Sequence, residues 1–266
     1  MRIASHTIVK NEDRYLWFAI NSIADFVDEI VIWDTGSSDD TLKIIQDLID
    51  KYSNKIKFEK HNIDDPRKVT DLRQKMLVKN TADWVVMVDG DEVWWRDKAR
   101  ELTDFIRKNG ENYDSCVVNY KNVVGDLYHY QDEEFGEYVI DGKKGFLTIR
   151  AFNAKIKGLV YKKDYPLEGL FDEGGAILQE RDSKRRFHFE GVTYIHMTHM
   201  ARSSLVKNKK YKFQNGLPLP LDYFYPESFF VGSPAYIKNI WSRRTSSYYL
   251  KSSLFDILRL VKKLVK

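Results

Sequence analysis

The stretch Trp84-Val85-Val86-Met87-Val88-Asp89-Gly90-Asp91-Glu92 constrains the fold more than any other part of the chain. Five apolar residues, too few for a typical helix and rich in valine, predict a strand buried on both faces. The run meets its carboxylates at the end where open α/β sheets bind ligands. In an extended chain Asp89 and Asp91 would point the same way, and Gly90 permits a tight turn beside a ligand. Two hard oxygen donors on one solvent-facing turn suit a divalent cation carrying a diphosphate. The same residues also fit a strand that simply ends in a solvated acidic turn.

The flanking sequence repeats a strand–helix rhythm. Ile3 to Val9 predicts a strand and Asn11 to Ala24 a helix whose apolar face includes Tyr15, Trp17, Phe18, Ile20 and Ile23. Glu29 to Asp34 is a second buried strand, followed by a turn in which Ser37 or Ser38 can cap a helix reaching Tyr52. Ile56 to Glu59 predicts a strand, Val69 to Asn80 a helix, and Asp97 to Lys108 a further helix stopped by Asn109-Gly110. This alternation implies a parallel sheet with helices on both faces. Beyond residue 110 the rhythm breaks. Asp114 to Val124 and Gly145 to Asn153 look like strands, and 154–200 reads as short strands among long loops. The division expected is a domain over 1–200, with a binding half at 1–110 and an acceptor half at 111–200, and an extension at 201–266.

Composition narrows the class. The single cysteine, Cys116, excludes an intrachain disulfide and a multi-cysteine zinc site, and its strand-like setting predicts a small core residue. No signal peptide is legible at the start, and no apolar run reaches the roughly 18 residues of a membrane span. A cytoplasmic protein is the expectation. Its net charge of +4 hides a division: residues 201–266 hold 13 Lys and Arg against 3 Asp and Glu, while the remainder is net negative. That asymmetry points to an anionic surface as partner.

Taken in order, Thr7-Ile8-Val9-Lys10-Asn11-Glu12, then Asp28 through Thr41, then Ala82 through Glu92 resemble a family 2 glycosyltransferase of the GT-A fold. The branch it resembles most acts on lipopolysaccharide or other surface-glycan precursors. The resemblance is strong over about residues 1–110 and fades afterwards. It implies inverting transfer of a sugar from a nucleotide-sugar donor to a glycan or lipid-linked acceptor, with Mn²⁺ or Mg²⁺. It also implies residue roles. Thr7 and Val9 would line the base pocket, and Asp34 would accept from the base or ribose. Asp89 would contact ribose or metal, Asp91 would ligate the metal, and Arg73 would face the donor. Gln74 and Gly90 depart from the family's usual asparagine and alanine, and neither departure removes a ligand. Asp34 also has a plainer reading as cap of the turn that follows it.

The general base that inversion requires is expected at Glu168, with Asp172 behind it, because relatives often carry His-Glu in this region and Leu167-Glu168 is the nearest match. His196, in Tyr194-Ile195-His196-Met197-Thr198-His199, would complete the metal site as a late histidine does in many GT-A enzymes. Trp94 and Trp95 offer an acceptor platform or simple packing, one of each. Residues 252–266 are amphipathic, with Leu254, Ile257, Leu258, Val261, Leu264 and Val265 on one stripe and Arg259, Lys262, Lys263 and Lys266 on the rest. This composition suits a helix lying on an anionic membrane, peripheral at its inner face, or one docked on the enzyme's own core. Nucleic acid is not an expected partner, since only Phe255 is aromatic within the basic stretch. Two rivals remain: a haloacid-dehalogenase-type phosphatase with Asp89 as nucleophile, and a non-catalytic sugar- or membrane-binding relative.

Overall fold

The computed structural model describes residues 1–205 and 213–264. Four short apolar runs form the strands β1 (Ile3–Val9), β2 (Glu29–Asp34), β3 (Ile56–Lys60) and β4 (Trp84–Met87). They lie parallel in the order β3-β2-β1-β4, with Val9 beside Asp34 and His6 beside Met87. The chain therefore moves to one side of β1 for β2 and β3, then crosses to the other side for β4. That reversal opens a crevice at the carboxyl ends of β1 and β4.

The connecting helices are α1 (Leu16–Ile23), α2 (Thr41–Lys51), α3 (Val69–Lys79) and α4 (Arg96–Asn109). Helices α1, α2 and α4 share the main apolar core with one sheet face. Leu72 and Met76 of α3 pack on Val31 and Trp33 from the other. Helix α1 starts later than the apolar pattern suggests. Asn11 adopts a positive φ of 56°, and its side chain accepts a hydrogen bond from Ser38 N, so residues 11–15 form the turn above β1. Asp39 rather than a serine accepts from Thr41 N at the start of α2.

Two features escaped the sequence reading. Strand β5 (Glu92–Trp94) follows β4 almost at once and pairs antiparallel with Tyr194–His196. The later half builds β6 (Ser115–Val124), β7 (His129–Tyr130), β8 (Tyr138–Ile140), β9 (Lys143–Gly145), β10 (Leu147–Asn153), β11 (Val160–Lys162), β12 (Gly169–Phe171), β13 (Arg186–His199) and β14 (Leu217–Pro218). Strand β10 joins the sheet antiparallel to both β4 and β6, and β13 runs parallel to β6. Thus a 14-residue strand stands where short strands were expected. Register shifts at three places, and Gly191 at φ 74°, break the alternation that would have revealed it. Cys116 is buried on β6 as expected.

Trp94 and Trp95 are both packing residues, so neither is left as a sugar platform. Trp94 is buried and stacks on Tyr194 at 5.1 Å, and Trp95 Nε1 donates to Phe224 O at 3.1 Å. The last helix, α5 (Ser246–Leu264), begins six residues before the predicted amphipathic segment. Tyr248 and Ser252 are buried, whereas Leu250, Leu254, Ile257, Leu258 and Val261 are exposed. The side chains of Arg259, Lys262, Lys263 and Leu264, and Val265 and Lys266 entirely, lie outside the described residues. No helix among the described residues is long and apolar enough to cross a membrane.

Candidate active site

A cleft of about 570 Å³ opens at the β1/β4 reversal. Its wall on the β1 side is Ile8, Lys10, Asn11 and Glu12, with Thr35 from the end of β2. Arg73 of α3, the turn Asp89-Gly90-Asp91, Tyr165, His196 and residues 200–203 complete it. The acidic turn leaves the sheet after Met87 and is held by its backbone. Glu92 N donates to Asp89 O at 3.0 Å, and Met197 N donates to Asp91 O at 2.9 Å. A Cβ on Gly90 would stand 3.1 Å from Glu12 Cγ and 3.2 Å from Val9 Cγ1, so glycine lets the turn sit against β1.

Positive charge surrounds the two aspartates. Asp89 accepts from Arg150 Nη2 at 3.1 Å, and Arg73 Nη2 lies 3.6 Å away. Burial alone would raise the Asp89 carboxyl, but Arg150 and Arg73 outweigh it and hold it below the usual carboxylate range. Asp91 is buried rather than solvent-facing, with Arg202 Nη1 at 3.3 Å and His196 Nε2 at 3.5 Å. Burial pulls the His196 imidazole down, yet the Asp91 carboxylate beside it leaves its pKa above the ordinary value. Glu12 is pushed well above the carboxylate range by burial and by Asp91, against the pull of Arg202 at 3.1 Å. Glu92, fully buried against Arg150, is raised by burial to about 7.

Of the residues expected from sequence, Arg73, Asp89, Asp91 and His196 line this cleft. Arg73 also bridges to Glu168, whose Oε1 lies 3.5 Å from Arg73 Nε, which brings Glu168 to the same wall. Gln74 Oε1 accepts from Tyr161 N at 2.8 Å and ties α3 to β11, so its departure from asparagine serves packing. Asp34 lies on the same sheet edge but beneath the surface. Its carboxylate accepts from Gly36 N and Ser37 N at 2.9 and 3.0 Å, the capping role. Thr7 and Val9 are buried below the floor, because strand alternation sends Ile8 into the cleft and its neighbours the other way. Asp172 is the clearest correction. It pairs with Arg181, which also holds Asp114 at the start of β6, so it stands at the opposite edge of the sheet.

Three residues of this site were not singled out from sequence: Glu12, Arg150 and Arg202. Glu12 lay inside a quoted motif and could have been found there. Arg150 and Arg202 reach the aspartates across 61 and 111 residues of chain, a pairing no local pattern carries.

A divalent ion is compatible with these donors. Asp91 and His196 offer a carboxylate and an imidazole side by side, and His196 Nδ1 is buried with no hydrogen-bond partner. Among the described residues no group of three His, Cys, Asp or Glu is placed to hold a metal. Mg²⁺-like ions need only one or two protein donors when water and substrate phosphate supply the rest. The set therefore fits an ion shared with a diphosphate, not a pre-built cage.

Residues 6–183 match the model of glycosyl transferase family 2. The chain belongs to that family. The match spans the acidic turn and displaces the phosphatase reading. Its relatives include the SPbeta prophage-derived glycosyltransferase SunS of Bacillus subtilis (strain 168), 28% identical over 123 residues, or 46% of this chain and 28% of SunS. Bacillus phage SPbeta has a SunS with the same figures, so the chain spans under a third of the curated relatives it matches. Among solved structures, S. aureus TarS 1-349 in complex with UDP-GlcNAc superposes with a TM-score of 0.51 at 17% identity, covering 86% of this chain and 70% of TarS. That likeness is one of fold, and the fold is the GT-A-like α/β sheet expected from the motifs.

Proposed function

We propose that this chain is an inverting glycosyltransferase that moves a sugar from a nucleotide-sugar donor to a surface-glycan or lipid-linked acceptor, with a divalent ion. One observation carries the reading. Asp89 and Asp91 face Arg73, Arg150, Arg202 and His196 in a cleft at the strand-order reversal of a family 2 fold. A UDP-GlcNAc complex of a structural relative supports the donor class. Asp91 and His196 would hold Mn²⁺ or Mg²⁺, with Asp89 beside them, and the bound ion would supply Lewis-acid neutralisation of the diphosphate.

The remaining chemistry belongs to the protein. The acceptor hydroxyl attacks the anomeric carbon as the bond from that carbon to the diphosphate oxygen breaks. Arg73 and Arg202 stabilise charge developing on the leaving nucleoside diphosphate, with Arg150 positioning Asp89. Glu168 takes the hydroxyl proton, and attack opposite the leaving group inverts the centre. The exposed apolar side chains of α5, in a basic stretch of sequence, fit peripheral attachment to an anionic membrane at its cytoplasmic face.

The test is binding and slow hydrolysis across a panel of nucleotide sugars with Mn²⁺. Asp91→Asn should lower turnover on the order of 10²–10³-fold, the scale of one lost electrostatic stabiliser. Full activity in that variant, or indifference to a chelator, refutes the metal role. Truncation after Tyr249 should weaken binding to anionic vesicles while leaving donor hydrolysis within twofold. Equal vesicle binding with and without the segment refutes the attachment.

A further inference from the structure

A second cavity, of about 200 Å³, adjoins the cleft. Met200 and Ala201 line both, so a single turn of chain separates them. The charged residues around the second cavity are Arg14, Lys238, Arg243 and Arg244, with no carboxylate among its lining. Arg244 is committed to the fold: its side chain is buried, and its Nε lies 3.6 Å from Asp126 Oδ2. Asp126 is itself buried and occupied by His129, Tyr128 N and Arg244 N.

The other three cations have no carboxylate partner, although Arg14 also hydrogen-bonds Tyr15. Among the described residues Arg14, Lys238 and Arg243 form no ion pair, and Arg14 Nε is buried without a hydrogen-bond partner. Arg243 rests over the Tyr128 ring at 4.5 Å, which leaves its donors available. Segment 206–212 contains no acidic residue that could answer them. Lys238 and Arg243 reach solvent at the cavity's mouth, and an anion joining such a group of like charges relieves their repulsion. On the donor reading the nucleotide's diphosphate belongs to Arg73 and Arg202 in the neighbouring cleft, which leaves these cations available to a second anion.

Position identifies its source. Thr245 and Tyr248, at the start of α5, line this cavity and not the cleft. The cavity thus adjoins both the first cleft and the helix whose outer side chains are apolar and exposed. We infer that it binds a phosphate ester or diester carried by the acceptor, presenting the acceptor's hydroxyl across Met200–Ala201 to the donor sugar. The assignment rests on the nucleotide-sugar reading of the first cleft.

The test uses the full chain and the double variant Lys238→Ala/Arg243→Ala. Its probes are a short soluble glycerol-phosphodiester oligomer, phosphatidylglycerol vesicles, and UDP. A charge-matched control, Lys143→Ala/Lys144→Ala, removes two cations from the β8–β9 hairpin. The cavity variant should bind at least one phosphodiester probe tenfold or more weakly, with UDP affinity and melting temperature unchanged. Lys238→Arg/Arg243→Lys should retain binding, and the hairpin variant should stay within twofold of wild type. Loss on both probes assigns any phosphodiester, and loss on vesicles alone assigns a lipid headgroup. No phosphodiester binding by wild type, or losses no greater than in the hairpin variant, overturns the proposal. A parallel loss of UDP affinity also overturns it, because the two cavities would then be one site. If UDP fails to bind wild type, the donor reading fails while the phosphodiester comparison still decides the cavity.

Discussion

Two arginine–carboxylate clusters stand at opposite edges of the same sheet, and they are built to different standards. At the amino end of β6, Asp114 accepts from Arg181 Nε and Arg185 Nε, both at 2.9 Å, and Arg181 turns its other arm to Asp172. Asp172 accepts in addition from Ala176 N at 3.0 Å. In the cleft Glu92 is held tightly by Arg150, but the contacts to Asp89 and Asp91 are looser, from 3.1 to 3.6 Å, and polar atoms are left over. Arg73 Nε, Glu168 Oε2, Glu12 Oε2 and His196 Nδ1 are buried without hydrogen-bond partners. Buried polar groups are normally satisfied, and leaving one bare costs roughly 1–3 kcal/mol. The first cluster is complete in itself and holds loops together. The second leaves buried donors and acceptors that a polar, charged ligand can meet, and it lies where open sheets bind one.

The comparison breaks most directly at its two candidate bases. Glu168→Gln should lower the transfer rate on the order of 10²–10⁴-fold with nucleotide affinity intact, the range for a lost proton acceptor. Asp172→Asn should leave the rate within twofold. Steady-state rates with the best donor of the panel settle both, and the reverse pattern would move the active site to the other edge.

Next in size is the structural cluster. Arg181→Ala removes the cation shared by Asp114 and Asp172, leaving the buried Asp114 with Arg185 alone, and should cost about 3 kcal/mol in urea unfolding, with UDP affinity unchanged by titration calorimetry. A loss of affinity without loss of stability would show the two edges to be coupled.

The smallest effect lies under the cleft floor. His6 is buried on β1, and burial lowers its pKa to about 4 from the ordinary 6.5. Below pH 6.5 the unfolded chain therefore binds a proton that the folded chain refuses, so stability falls as pH falls toward 4. The contribution is about 2 kcal/mol between pH 6.5 and 5. Comparing wild type with His6→Gln isolates it, since the pH-dependence of the difference should vanish above pH 6.5. A difference that grows with rising pH would contradict the burial argument.

Local chemistry made the parallel half and the acidic turn legible. Short valine-rich runs announce buried strands, Gly90 and the aspartates announce a turn at their end, and intervening helical periodicity forces crossover connections. Arg73 and His196 could be named because family motifs mark their positions, and α5 because its stripe repeats every three to four residues. What the chain alone left undecided depends on contacts between distant segments. The strand β13 was hidden because its bulges spoil the alternation by which strands are read. Asp172 and Glu168 are four residues apart and equally acidic, and only the packing of β12 against its neighbours sends them to opposite edges. Arg150 and Arg202 look like ordinary polar positions until the antiparallel insertion of β10 and the turn after β13 carry them to the aspartates. Periodicity reports which face of an element is buried, but a binding site is defined by which elements meet, and that is settled only when the sheet closes.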